Sequence, residues 1–254
     1  MLSVRLIISL IALLIAAGHA RADLVKAIER VKPGVVAVGT VIPTRAPPSL
    51  FMGTGFVIGN GRHVVTNAHV LPSVVDPQKQ ETLAVFSGRG QQSEVRTARK
   101  VAIDTEHDIV ILEISGAPLP ALNLAEAGGV REGADLAFTG FPIGVVLGLY
   151  PSTHRATLAA LTPIVIPRAQ ASMLDARAIN RMRSPFDVYQ LDAVAYPGNS
   201  GSPLFDANTG NVVGIVNMVL VKSTKESALT APSGIAYAIP IQYVRELYAT
   251  LKNP

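Results

Sequence analysis

From Val35 onward the chain is written as short apolar stretches, each broken by Gly, Pro or Asn, at intervals of about eight to twelve residues. Such spacing leaves room for short strands and tight turns, the pattern of β-sandwiches and barrels. Candidate strands cover residues 34–41, 53–58, 63–66, 83–87, 94–103, 109–114, 134–140 and 212–219. Asn60-Gly61 between two of these runs predicts a tight hairpin with positive φ at both positions. A helical period emerges only at the end, where Pro240 precedes Tyr243, Val244, Leu247 and Leu251 on one face. Only 16% of the 254 residues are charged and 49% are hydrophobic, so the strands have a sizeable core to enclose. The length fits one all-β unit or two small domains sharing an interface.

The N-terminus follows different rules. Arg5 supplies a positive start, residues 6–17 are apolar apart from Ser9, and Ala20-Arg21-Ala22 has the small-x-small form of a cleavage site. Residues 1–22 are therefore expected to be an export signal, with an uncleaved membrane anchor as the alternative. Without them, 20 basic residues face 18 acidic ones, so the formal charge falls from +4 to +2. No basic patch points to nucleic acid. Zero cysteines exclude a disulfide scaffold, a Cys nucleophile and thiolate metal sites. Two segments depart from the strand rhythm: residues 43–51 with three prolines, expected as an irregular loop, and residues 168–187, an Arg-rich stretch read as a surface insertion.

The sharpest chemical signal is Pro197-Gly198-Asn199-Ser200-Gly201-Ser202-Pro203. A serine between glycines on a tight turn has an exposed hydroxyl, and small neighbours let a carbonyl approach the backbone amides. The same residue types also make ordinary β-turns. A serine needs a base to become nucleophilic. His63, His69, His107 and His154 all precede Ser200 and none follows it, which excludes the order Ser, acid, His of α/β-hydrolases. Only Asp23 precedes the first mature histidine, which disfavours the subtilisin order. His, Asp, Ser remains. His69 lies where a strand runs into a polar turn, in Val64-Val-Thr-Asn-Ala-His-Val70, although a structural histidine would look the same. Asp108 stands at the mouth of the apolar run 109–112 as the candidate acid. Asp104 competes with it but suits a turn, and His107 is expected to be an exposed neighbour.

These segments together carry a family likeness. Gly53-Thr-Gly-Phe-Val-Ile58, Val65-Thr-Asn-Ala-His-Val70, Asp108-Ile-Val-Ile-Leu112, Asp192-Ala193 ahead of Pro197-Gly-Asn-Ser-Gly201, and Ala238-Ile-Pro-Ile241 occur in one order over about residues 33–251. In this the sequence resembles the trypsin-like serine peptidases of the HtrA (Deg) group. The resemblance implies two perpendicular six-stranded β-barrels with a short C-terminal helix, divided near residues 23–120 and 121–254. It also implies His69 as general base, Asp108 as its orienting partner and Ser200 as nucleophile, with an oxyanion hole from the N–H groups of Gly198 and Ser200.

The chain departs from the pattern at Ser202, where the family usually has Gly. Asn199 replaces the Asp with which digestive enzymes hold a new N-terminus, so activation by zymogen cleavage is not expected. No PDZ domain is expected before Pro254. The likeness places Val194, Ile215, Val216 and Asn217 around the primary pocket, whose aliphatic lining favours small or medium apolar side chains. The implied activity is hydrolysis of exported protein or peptide substrates, in the periplasm or outside the cell, without a cofactor. A homo-oligomer is compatible with it. No His-Glu-x-x-His metal motif occurs, and Gly53-x-Gly55 leads to a hairpin rather than a dinucleotide-binding helix. The alternative of another class is a peptide-binding or chaperone-like module on the same fold with a resting-inactive triad.

Overall fold

The computed structural model describes residues 22–126, 128–143, 148–163, 186–217 and 234–251. The proposed export signal, apart from Ala22, and all but the last two residues of the 168–187 insertion lie outside the described residues.

Among the described residues twelve strands follow in chain order: β1 (Val35–Val41), β2 (Ser49–Ile58), β3 (His63–Asn67), β4 (Thr82–Ser87), β5 (Glu94–Asp104), β6 (Ile109–Ile114), β7 (Asp135–Gly140), β8 (Ser152–Pro163), β9 (Asp187–Asp192), β10 (Pro203–Asp206), β11 (Val212–Val216) and β12 (Ile235–Pro240). They form two closed six-stranded barrels, β1-β2-β3-β6-β5-β4 and β10-β11-β12-β9-β8-β7, with every strand pair antiparallel. The two strand orders are the same when the second is counted from β7. The expected all-β, two-barrel class is therefore the observed one. Closure leaves no open sheet edge in either barrel.

Alternation along the strands explains why two barrels can share a core. In β1, Val35 and Ala37 join one apolar cluster, and Val36 and Val38 join another. The first cluster spans both barrels, bringing Phe56, Phe86, Ile109 and Ile111 together with Phe205, Val212, Ile215 and Ile239. The others belong to single barrels. Burial of each large side chain stabilises by about 1.5–3 kcal/mol, so the shared cluster is a principal bond between the halves.

Two helices pack on this cluster. Helix α1 (Ala22–Val31) was not read from the sequence; Leu24, Ala27, Ile28 and Val31 lie at helical spacing and meet the shared cluster. Pro33 ends the helix in a 3₁₀ turn. Helix α2 (Ile241–Ala249) follows Pro240 as expected and buries Ile241 and Val244, with Tyr243, Leu247 and Leu251 packed alongside.

Several local expectations need correction. In the β2–β3 turn the positive φ values belong to Gly59 and Gly61, not to Asn60. The Asn60 side chain instead accepts the Arg62 N–H, and Tyr248 packs so close to Gly59 that a side chain there would collide with its hydroxyl. The loop expected over 43–51 is shorter, because Ser49–Phe51 pair with β1 as the start of β2. The expected strand 34–41 begins at Val35, since Gly34 lies in the 3₁₀ turn.

Candidate active site

The three residues singled out for chemistry come from opposite sides of the barrel interface and meet. His69 sits in a 3₁₀ turn (Ala68–Val70) directly after β3. Asp108 immediately precedes β6, the strand paired with β3, so register alone brings the two ends together. Ser200 lies in the turn before β10 of the second barrel. His69 Nδ1 is 2.5 Å from Asp108 Oδ2, and His69 Nε2 is 3.0 Å from Ser200 Oγ.

Asp108 is held from several directions. Its Oδ1 accepts the His69 backbone N–H at 2.9 Å, and its Oδ2 also accepts the Asn217 amide at 2.8 Å. Its carbonyl takes hydrogen bonds from Ala68 N–H and the Asn67 amide. Its φ of 57° lies in the left-handed region, where Asp is among the better tolerated side chains. Burial pushes the carboxyl pKa up, but hydrogen bonding to and charge on His69, with the Asn217 and His69 N–H donors, hold it below the ordinary carboxylate value. The carboxylate form is therefore the one this site favours. It orients the imidazole with Nδ1 toward the acid and Nε2 toward the hydroxyl.

The nucleophile turn is built from main chain. Gly198 and Gly201 have φ of 99° and 87°, and a side chain at either would strike backbone: the Phe141 carbonyl in one case, the Thr54 carbonyl in the other. The Pro197 carbonyl accepts the Ile143 N–H at 2.7 Å. Since C=O and N–H of one trans peptide point oppositely, this turns the Gly198 N–H away from Ile143. Gly201 N–H donates to the Val216 carbonyl, and Val216 N–H to the Ser202 carbonyl, so β11 clasps the turn from behind. Asn199 and Ser202 are fully buried, and among the described residues neither the Asn199 side-chain amide nor the Ser202 hydroxyl has a hydrogen-bond partner.

Val194 is half-buried just past β9. Ile215 and Val216 are fully buried, Ile215 in the shared cluster and Val216 in the second barrel's cluster. Asn217 is engaged with Asp108, a link the sequence reading missed because 109 residues separate them. His107 is not the exposed neighbour expected: its ring stacks on Tyr243 at 3.8 Å and its Nδ1 lies 2.6 Å from Asp104 Oδ2. Asp104 keeps its turn role, accepting the N–H groups of Glu106 and His107. His63 is buried beside Tyr248, and His154 stacks on Phe138. Among the described residues no acidic, His or Cys cluster is arranged to hold a metal ion, and no helix is long and apolar enough to cross a membrane.

Comparison with known proteins gives a consistent result. Residues 53–215 match the family described as the trypsin-like peptidase domain. The chain is 29% identical over 206 residues to the "Probable periplasmic serine endoprotease DegP-like" of Halomonas elongata, covering 80% of this chain and 35% of that one. It is 27% identical over 226 residues to "Serine protease HTRA4" of Homo sapiens, covering 87% and 40%. Thus the chain spans less than half the length of these relatives. Among solved structures, the Rv3671c protease from M. tuberculosis in its active form superposes with a TM-score of 0.64 at 25% identity, covering 90% of this chain and 85% of that one.

Proposed function

We propose that this chain, which belongs to the trypsin-like peptidase family, is an exported serine endopeptidase working through an acyl-enzyme. The observation that carries the reading is the continuous file Ser200 Oγ, His69 Nε2, His69 Nδ1, Asp108 Oδ2, with gaps of 3.0 and 2.5 Å. In this reading Ser200 Oγ attacks the scissile carbonyl carbon while its proton passes to His69 Nε2. Asp108 stabilises the imidazolium that forms. The carbonyl electron pair moves to oxygen, where the Gly198 and Ser200 N–H groups receive it. Collapse of the tetrahedral adduct breaks the C–N bond, and the leaving amine takes the proton from His69. Water then repeats the sequence on the ester, with His69 accepting its proton, and Ser200 recovers its hydrogen. No cofactor enters these steps.

Export is supported by the leader-like residues 1–22 and by the word "periplasmic" in the names of relatives. The substrates are protein chains, and half-buried Val194 gives the primary pocket an aliphatic wall suited to small or medium apolar side chains. The test is turnover of a fluorescently labelled unfolded protein by the full chain and by Ser200→Ala. Cleavage by the first and none by the second is the expected result. Binding of the unfolded protein without cleavage by either would replace the peptidase with a peptide-binding module.

A further inference from the structure

We propose that Thr54 is a positioning residue: from the first barrel, its buried hydroxyl fixes the main-chain orientation of the oxyanion-binding turn in the second. The inference rests on the peptidase reading above and names a device that controls the same site. Thr54 lies within β2 between Gly53 and Gly55 and is 0% exposed. Its Oγ1 is 3.0 Å from the Phe141 nitrogen and 2.7 Å from the Gly198 carbonyl oxygen. The first partner can only donate and the second only accept, so the hydroxyl accepts from Phe141 N–H and spends its own hydrogen on Gly198. Both partners belong to the second barrel's side of the site. The Thr54 main chain acts on the same turn, since its N–H donates to the Ser200 carbonyl at 2.9 Å. Its carbonyl is steadied in turn by the Thr66 hydroxyl at 2.7 Å.

Gly198 joins two peptide planes, and without a Cβ it can rotate about either bond at little steric cost. The plane before it is fixed by Ile143 N–H on the Pro197 carbonyl, which sets the direction of the Gly198 N–H. The plane after it is held at its carbonyl by Thr54 Oγ1 and at its N–H by the Tyr196 carbonyl, and the next plane, which carries the Ser200 N–H, by Ser202 N–H on the Asn199 carbonyl. Main-chain hydrogen bonds thus hold the planes on both sides, and Thr54 adds the side-chain anchor on the Gly198 carbonyl. The neighbouring side chains give no such anchor: Asn199 and Ser202 are buried beside Thr54 around Gly140, yet among the described residues their side-chain polar atoms meet no hydrogen-bond partner. Removing the Thr54 hydroxyl would leave the buried Phe141 N–H and the half-buried Gly198 carbonyl unpaired, and rotation at Gly198 would relieve the carbonyl while pulling on the Asn199 N–H bond to Tyr196.

The experiment compares wild type, Thr54→Val and Thr54→Ser on one cleavable peptide, with melting curves to choose a temperature at which each is folded. A peptidyl boronate, which forms a tetrahedral adduct on the nucleophile, reads transition-state binding, and the product peptide reads ground-state binding. Thr54→Val is expected to lower kcat by about 10- to 100-fold with KM within about twofold, and to lose boronate affinity in proportion while product affinity is unchanged. Thr54→Ser, which keeps the hydroxyl, is expected to retain kcat within about threefold of wild type. If the valine variant does not fold, Thr54→Cys supplies the graded case, because a thiol is a weak donor in a similar volume; its kcat is expected to fall and its KM to hold. A folded Val or Cys variant with kcat within about twofold of wild type, or with a change in KM alone, would overturn the proposal and leave the peptidase reading standing. A wild-type protein with no turnover overturns both.

Discussion

The two barrels share one strand order but equip the site by different means. The first barrel presents side chains at the ends of paired strands: His69 after β3 and Asp108 before β6, joined by register and by hydrogen bonds that engage both carboxylate oxygens. The second adds the Ser200 hydroxyl and the Asn217 amide but otherwise presents backbone, a turn of residues 197–201 whose shape needs two glycines at positive φ and whose contacts are mostly main chain to main chain. Apart from the nucleophile itself, function in the first half therefore depends on what an atom is, and in the second on where the chain can pass. Substitutions that preserve shape should injure the first, and those that add a single carbon should injure the second.

The contrast is broken most directly at Asp108. Asp108→Asn keeps the volume but exchanges the acceptor-only carboxylate for an amide, which permits the wrong imidazole tautomer; kcat is expected to drop by about 10⁴-fold in steady-state assays while the melting temperature moves little by comparison. A loss under about tenfold would mean that the carboxylate is not what orients His69. On the other side, Gly201→Ala adds one methyl at φ 87° against the Thr54 carbonyl. It is expected to destabilise by at least about 2 kcal/mol in urea unfolding and to disorder the turn. Wild-type stability in that variant would show that the turn yields more easily than its geometry indicates.

Acidity sharpens the comparison because, among the described residues, each barrel carries one histidine with a lowered pKa, buried His63 in the first and half-buried His154 in the second. At His63 burial lowers it, Glu113 raises it and Arg99 lowers it again; at His154 burial alone lowers it. A native state that binds protons less readily than the unfolded chain loses stability as pH falls from about the ordinary value of 6.5 toward the depressed ones. Melting curves between neutral pH and pH 5 should fall, and His63→Gln and His154→Gln should each flatten part of the decline. Asp108 acts further down: its lowered pKa gives stability that is present above the ordinary carboxylate range and lost as pH falls through the folded value. A flat profile in the wild type would contradict the lowered pKa of both rings. The smallest effect belongs to Ser202, whose buried hydroxyl has no hydrogen-bond partner among the described residues. Ser202→Ala should raise stability by about 1 kcal/mol, whereas a drop would reveal a buried water held there.

Much of the first barrel was legible before any coordinates, because its strands are apolar runs bounded by turn residues and its catalytic candidates stand where such runs end. The same reasoning found the final helix from one apolar face. β8, β9, β10 and β12 escaped it: β8, for one, mixes Thr153, His154 and Arg155 with alanines and is only partly buried, so its strand state is set by neighbours on both sides rather than by its own pattern. Thr54 was visible only as part of a motif, since its hydroxyl partners lie 87 and 144 residues away. The Asn217 bond to Asp108 was hidden for the same reason, and His107 was misjudged because Tyr243, on the last helix, covers it. Local sequence reports strand ends well, and contacts across the barrel interface poorly.

The central claim is that His69 and Ser200 form a working pair across that interface, and active-site labelling addresses it most directly. Purified protein would be treated with a fluorophosphonate and the adduct located by mass spectrometry, with His69→Ala as control. The account predicts a stoichiometric adduct on Ser200 that is lost in the control. Folded protein that takes no label, or labels equally without His69, would contradict it.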